Sequence, residues 1–153
     1  MNGTTHKCAM NSEAVYCKPD DTGQVFAWVC AGLGDKPQDY GANLTIGVYL
    51  NEKIIAGIVL NDHRKDIDVW LTIYSINKRW CTQSVIKYVF NVVFNVMNCR
   101  RCNIFISKSN EKSLSLCERL GFVKEGLLRQ YRENGEDCYV LGMLKSECKW
   151  LFR

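Results

Sequence analysis

The chain has 153 residues, of which 47% are hydrophobic and only two are proline, enough for one globular domain, residues 1–153, with a core of its own. Twenty basic against 16 acidic side chains leave a net charge of +4. The densest basic cluster is Cys99-Arg100-Arg101-Cys102, short of the basic stripe of a nucleic-acid binder, and no apolar run approaches the ~20 residues of a membrane span.

Residues 1–20 are polar and weakly patterned and read as a loop. From Asp21 to Gly34 the apolar Val25, Trp28 and Val29 recur at helical spacing. Asp21 or Thr22 is placed to cap that helix, and Gly32 and Gly34 to end it. Residues 35–41 form a loop. Three strands follow: Asn43 to Leu50, Lys53 to Leu60 across the short Asn51-Glu52 connection, and Ile67 to Tyr74 after a polar turn from Asn61 to Lys65. The period then changes. Between Thr82 and Met97, Val85, Val89, Val93 and Val96 share one face of a helix, with Ile86 and Phe90 beside them. Asn103 to Ser107 is a strand and Glu111 to Leu120 a helix, with Ser109 or Asn110 as N-cap and Gly121 in the left-handed position after it. Val123 to Arg132 and Cys138 to Lys145 are strands around the Asn134-Gly135 turn signal. This order of helix, three strands, helix, strand, helix and two strands specifies an α+β domain.

The nine cysteines are odd in number and scattered, and several sit in apolar runs where a thiol acts as a small hydrophobe. The opening Met-Asn-Gly-Thr-Thr-His-Lys lacks the apolar core of a signal peptide. Together these features predict a reducing, cytoplasmic setting. Cys99-x-x-Cys102 stands alone, without the second pair or the histidines that zinc requires, and reads as turn packing. His6 and His63 have no ligand spacing, and no P-loop, dinucleotide or Gly-x-Ser-x-Gly fingerprint is present.

The run Asn110-x-x-Ser113-x-x-Leu116-Cys117-Glu118-Arg119-Leu120-Gly121-Phe122, followed by Glu125-Gly126 and Arg129, resembles the C-terminal half of the GCN5-related N-acetyltransferases. It is most similar to the subgroup typified by ribosomal-protein N-terminal acetyltransferases. Asn134-Gly135-Glu136-Asp137 and Tyr139-x-x-Gly142-Met143 resemble that subgroup's closing hairpin. The ending Glu147-Cys148-x-Trp150 is similar to short acetyltransferase-like proteins of tailed bacteriophages. The motif match covers the last third of the chain, and the element order covers nearly all of it.

The resemblance implies a mixed, mostly antiparallel sheet whose fourth and fifth strands splay apart, with helices on both faces. It implies acetyl-CoA as cosubstrate, no metal, and a primary amine as acceptor: a protein N-terminus, a lysine or a small molecule. The pantetheine arm would add to the family's fourth strand, here Leu71 to Ser75, with main-chain groups of Ile73, Tyr74 and Ser75 orienting the thioester. The pyrophosphate would lie on amides at the start of the next helix, helped by Lys78, Arg79, Thr82 and Ser84. Asn110 and Ser113 would form the facing wall, and Asn110 also reads as a helix cap. Cys117 stands where the family carries a tyrosine acid, but it shares a helical face with Leu114 and Leu120, the placement of a core thiol. Asp68 is the candidate base by position, with Glu111 and Asp137 behind it; each also reads as a surface carboxylate.

One departure bears on function. The family's phosphate loop carries glycines that let the backbone wrap the phosphate, whereas Ile76 to Ser84 contains none. Two functions therefore follow. One is an acetyl-CoA-dependent N-acetyltransferase acting by direct amine attack. The other is a protein of the same shape that has lost catalysis and serves in binding or in virion assembly. Trp80, inside that loop, would either cover the phosphate entrance or fill it.

Overall fold

The computed structural model describes residues 14–152. Seven strands form one sheet: β1 (Val15–Pro19), β2 (Asn43–Leu50), β3 (Lys53–Arg64), β4 (Asp68–Ser75), β5 (Arg101–Ser107), β6 (Val123–Leu128) and β7 (Cys138–Leu144). Their spatial order is β1-β2-β3-β4-β5-β7-β6. All neighbours are antiparallel except β4 and β5, which run parallel. Three helices, α1 (Gln24–Leu33), α2 (Gln83–Asn91) and α3 (Glu111–Leu120), complete the expected mixed, mostly antiparallel fold.

Local chemistry explains the boundaries. Asn51 and Glu52 both take positive φ, 51° and 69°, the backbone that a two-residue hairpin connection requires. Of the two expected caps of α1, Thr22 takes part, its Oγ1 accepting from the Gln24 N–H at 3.2 Å, while the carboxylate at the helix start is that of Asp20 and not Asp21. Asp20 reaches past Gly23, and its Oδ2 accepts from the backbone N–H of Val25 and of Phe26 at 3.1 Å each. α2 continues into a π-helical turn over Val92–Val96, so the predicted helix is one rod with two hydrogen-bond patterns. Asn110 caps α3 by accepting from the Ser113 N–H at 3.2 Å, and Gly121 closes it at φ 118°. The Trp150 indole donates to the Leu120 carbonyl at 2.8 Å, which gives the chain's closing tryptophan a structural task.

Three sequence expectations are corrected. Residues 15–19, expected as loop, pair with β2 from Val15↔Leu50 to Pro19↔Ile46; residues 1–13, including His6, lie outside the described residues. The turn expected at Asn61 to Lys65 is instead an extension of β3, where Arg64 pairs with Asp68 across a bulge. β6 stops at Leu128, earlier than Arg132, because residues 130–137 form a hydrogen-bonded loop in which the Asp137 carboxylate takes the Gln130 N–H.

The sheet separates two apolar layers. On one face α2 and α3 cover a large core that includes Ile58, Leu60, Val69, Leu71, Phe90, Phe94 and Leu141. On the other, α1 sets Val25 and Val29 against Val59, with Trp28 and Tyr74 packed beside them. Close approach of α1 depends on two glycines. A Cβ at Gly57 would stand 2.3 Å from Val29 Cγ2, and one at Gly32 would stand 2.3 Å from the Tyr74 ring. Gly57→Ala should therefore lower the unfolding free energy by about 1–3 kcal/mol, the scale of an overpacked core. Gly126→Ala, where an added Cβ meets nothing within 4 Å, should change it by less than about 0.5 kcal/mol. Urea titration of both variants checks this; equal effects would mean that α1 does not depend on that contact.

Candidate functional site

The site begins where β4 and β5 stop pairing. Their register runs only from Asp68↔Arg101 to Leu71↔Ile104, although β4 continues to Ser75 and β5 to Ser107. Beyond Leu71 the strands diverge, and a cleft of about 1090 Å³ opens between them. β3 still pairs with β4 as far as Ala56↔Ser75, and the Ile76 N–H donates to the Ile55 carbonyl. Antiparallel pairs alternate between exchanging hydrogen bonds and facing away. The Ile76–Ile55 bond thus fixes Tyr74 and Thr72 toward β3, and turns the N–H and C=O of Ile73 and Ser75 toward the gap. Ile73 and Ser75 are therefore placed to bind an extended ligand through the main chain. Tyr74 offers its ring instead, which packs edge-on against Trp28 at 5.0 Å.

Lining residues come from both faces of the sheet. Asn110, Ser113, Leu116 and Cys117 enter from α3, and Trp80 from the turn after β4. Trp80 is buried in the main core while also lining the cleft, so its indole forms part of the wall. The opposite face supplies Trp70, Thr72, Phe105 and Tyr131, together with the segment after α1 that includes Asp35 and Tyr40. Trp70 stacks on Phe105 at 4.2 Å, and Phe105 meets Tyr131 at 4.9 Å.

The predicted phosphate residues sit past this wall. Arg79, Thr82 and Ser84 do not line the cleft; Arg79 lies within Trp80's turn, and Thr82 and Ser84 lead from it into α2. Lys78 and Arg79 are exposed. The Thr82 hydroxyl caps α2 by accepting from the Val85 N–H at 3.1 Å, and Asn77 caps the preceding turn through the Arg79 N–H at 2.9 Å. The N–H groups of Gln83 and Ser84 have no acceptor inside the helix, as in any first turn. The loop without glycine is thus a capped turn that presents one helix start and two basic side chains.

Cys117 is buried at the cleft wall. Burial, with the neighbouring Cys81 and Glu118 adding to it, pushes its thiol up to about 12. Asp68 is elsewhere: it does not line the cleft. It is 4% exposed. Arg64 grips both of its oxygens, at 2.7 and 2.9 Å, and Asn103 donates to it at 2.8 Å. Asn103 in turn accepts from Arg101 at 2.6 Å, and Arg101 pairs with Glu125. This chain of side chains crosses β3, β4, β5 and β6 at the paired end of β4 and β5. The Arg64 hydrogen bond, opposed by burial and aided by Asn103, holds the Asp68 carboxyl below its usual range. Its position at the start of β4 was legible; that Arg64 closes on it was not, because the β3 extension was read as a turn. Asp137 serves its own loop through Gln130, and Glu111 is exposed in the first turn of α3. Among the described residues no three His, Cys, Asp or Glu side chains are grouped to hold a metal, and no helix is long and apolar enough to cross a membrane.

No protein-family model and no curated protein matches the sequence. Solved structures do match. A single-residue variant of the spermidine N-acetyltransferase SpeG from Vibrio cholerae superimposes with a TM-score of 0.73 at 16% identity, over 94% of this chain and 99% of that one. The spermidine N-acetyltransferase from the same organism in complex with CoA and spermine gives 0.70 at 15%, over 90% and 98%. At such identity the likeness establishes a shared fold, that of the GCN5-related N-acetyltransferases.

Asp68 serves the sheet, and its contribution has a pH signature. With the folded carboxyl lowered, the stabilisation is complete above the unfolded value of about 3.9 and is lost as pH falls through the folded value. Asp68→Ala should cost about 1–3 kcal/mol at pH 7 by leaving the Asn103 donor buried without a partner. It should also flatten the acid limb of a stability–pH curve from chemical denaturation. An unchanged acid limb would dissociate Asp68 from the fold's stability.

Proposed function

We propose that this protein is an acetyl-CoA-dependent N-acetyltransferase whose acceptor is a primary amine. The observation that carries the reading is the pair of main-chain edges at Ile73 and Ser75, turned into a cleft where β5 has diverged. An extended pantetheine arm bearing amides is chemically suited to such an edge, adding to it as a strand. Each hydrogen bond so formed contributes about 0.5–1.5 kcal/mol. The N-acetyltransferase fold and the CoA complex of a structural neighbour support the same assignment.

In this reading the cosubstrate's thioester supplies the acetyl group and a thiolate leaving group. Ile73 and Ser75 hold the arm, and Asn110 and Ser113 form the opposite wall. Trp80 and Leu116 exclude water from that side. The diphosphate rests at the start of α2, where the Gln83 and Ser84 amides and the helix dipole favour an anion. Lys78 and Arg79 add positive charge there in place of the glycine wrap. The chain's main catalytic contribution is to hold an amine beside the acyl carbon, since proximity alone removes several kcal/mol of a bimolecular barrier.

Cys117 is not required as the acid. Its thiol, raised to about 12, is a weaker acid than an ordinary thiol of about 8.5, so protonating the departing thiolate from Cys117 is uphill by roughly a thousandfold. A thiolate of that ordinary basicity leaves without help at neutral pH.

The glycine-free loop supports one rival, a protein of this shape that has lost catalysis and acts in binding or assembly. Calorimetry with acetyl-CoA separates the two. Saturable binding, with ATP as the control that fails to compete, is the expected result; no heat and no thermal stabilisation at saturating acetyl-CoA would leave the rival standing. In turnover assays Cys117→Ser should keep kcat within about threefold of the parent, and a fall beyond about 100-fold would restore Cys117 as the acid, since general acid catalysis contributes on that scale.

A further inference from the structure

On the α1 face of the cleft a hydroxyl and a carboxylate stand next to the open edge of β4. The segment after α1 folds back so that Asp35 and Tyr40 both line the cleft. Backbone bonds fix it, Asp35 N–H to the Cys30 carbonyl at 2.9 Å and Tyr40 N–H to the Pro37 carbonyl at 3.1 Å. The Tyr40 ring packs edge-on against Phe26 at 5.6 Å, and its hydroxyl donates to Asp35 Oδ2 at 2.5 Å. The same hydroxyl meets the side chain of Thr72 on β4. Thr72 immediately precedes Ile73, a step of about 3.3 Å along a strand. The Tyr40 oxygen therefore lies beside the main-chain edge assigned to the thioester, on the side away from α3.

A phenol whose proton points at a carboxylate keeps its lone pairs for an N–H donor. Burial, with Asp35 adding to it, holds the Tyr40 proton above the ordinary phenol range, so the ring stays neutral and can pass a proton on. Asp35, the end of the chain, is exposed and open to water. An amine that attacks an acyl carbon acquires positive charge on nitrogen, and that nitrogen must lose a proton for the amide to form. We infer that Tyr40 and Asp35 are the path by which this proton leaves. As the C–N bond forms and the C–S bond breaks, the C–S electron pair departs with the thiolate. The N–H bond breaks, its proton joins Tyr40 Oη, and the proton Tyr40 already holds moves to Asp35 Oδ2. Asp35 then returns it to water. Tyr40 is the catalytic residue here, since it touches the nitrogen; Asp35 acts through it. The inference rests on the acetyltransferase reading and adds to it the proton acceptor that Asp68, outside the cleft, does not supply.

Two variants isolate the path. Tyr40→Phe keeps the ring against Phe26, and Asp35→Asn keeps an acceptor oxygen for the phenol while removing its basicity. Turnover of the full chain is measured with acetyl-CoA and two amines, n-butylamine and 2,2,2-trifluoroethylamine, whose nitrogen gives up its proton far more readily. Each variant should lower kcat/KM for butylamine by about 100-fold, the scale of acid–base catalysis, and for trifluoroethylamine by less than about tenfold. A merely structural role would lower both alike. The double variant D35N/Y40F should fall within about threefold of the less active single variant, because two groups in series act as one unit. Calorimetric affinity for acetyl-CoA should stay within about threefold of the parent throughout, since neither side chain holds the cosubstrate.

Equal losses with the two amines, losses that multiply in the double variant, or an Asp35→Asn variant as active as the parent would each overturn the inference while leaving the acetyltransferase reading in place. A parent that binds acetyl-CoA and acetylates neither amine would overturn it as well, with cosubstrate binding intact. A parent that does not bind acetyl-CoA would remove the acetyltransferase reading itself, and the proton path with it.

Discussion

The site depends on one constraint: β4 and β5 are held together at one end and prevented from pairing at the other. At the paired end, the side chains of Arg64, Asp68, Asn103, Arg101 and Glu125 link four strands across the sheet. Past Leu71 and Ile104 nothing continues the ladder between the two strands. Each strand keeps its other neighbour there, β7 for β5 to Ser107 and β3 for β4 to Ser75. Both therefore turn an unpaired edge to the gap, and on β4 that edge carries main-chain groups whose direction is fixed by β3. A polar backbone edge inside a fold is costly unless something pairs with it, which is the physical reason to expect a ligand there.

The faces on either side of that edge are built for different chemistry. α3 and the Trp80 turn offer a neutral wall, ending in a helix start and two basic residues, an arrangement that favours an anionic tail. The α1 face offers rings and carboxylates, which favour a cation. In the proposed function these two faces would take the two half-reactants of an acetyl transfer. A capped turn stands where the resembled family carries glycines, so in that proposal the anion would be met by a helix start and long cations instead of an enveloping backbone.

Much of this was legible in the sequence, and the misses have physical causes. The motif from Asn110 to Phe122 gave the right fold because its residues do structural work that permits few substitutes: an Asn cap, three inward residues at Leu114, Cys117 and Leu120, and a left-handed Gly121. Period changes located the helices to within a few residues. β1 was missed because five residues ending in Pro19 show too little alternation to stand out, and they form a strand only because β2 presents an edge. The Asn61 to Lys65 stretch looked like a turn because its residues are polar; the partners of Asn61 and Arg64, Trp70 and Asp68, are nine and four residues away in sequence but become visible only in the register. Asp68 followed from the same gap, since a carboxylate at a strand start carries no mark of the arginine that closes on it. The acidic lining of the cleft, Asp35 and Asp39 after α1, Asp62 on β3, and Glu133 and Glu136 before β7, was beyond reach, because these residues are distant in sequence and meet only after the sheet has formed.

The most direct test of the central claim is amide hydrogen exchange by NMR at three consecutive residues, Ile73, Tyr74 and Ser75, with and without saturating acetyl-CoA. The account predicts that acetyl-CoA slows exchange at Ile73 and Ser75, whose N–H groups face the gap, and leaves Tyr74, already paired across to Gly57, unchanged. Unaltered exchange at Ile73 and Ser75 in the presence of bound acetyl-CoA would contradict it.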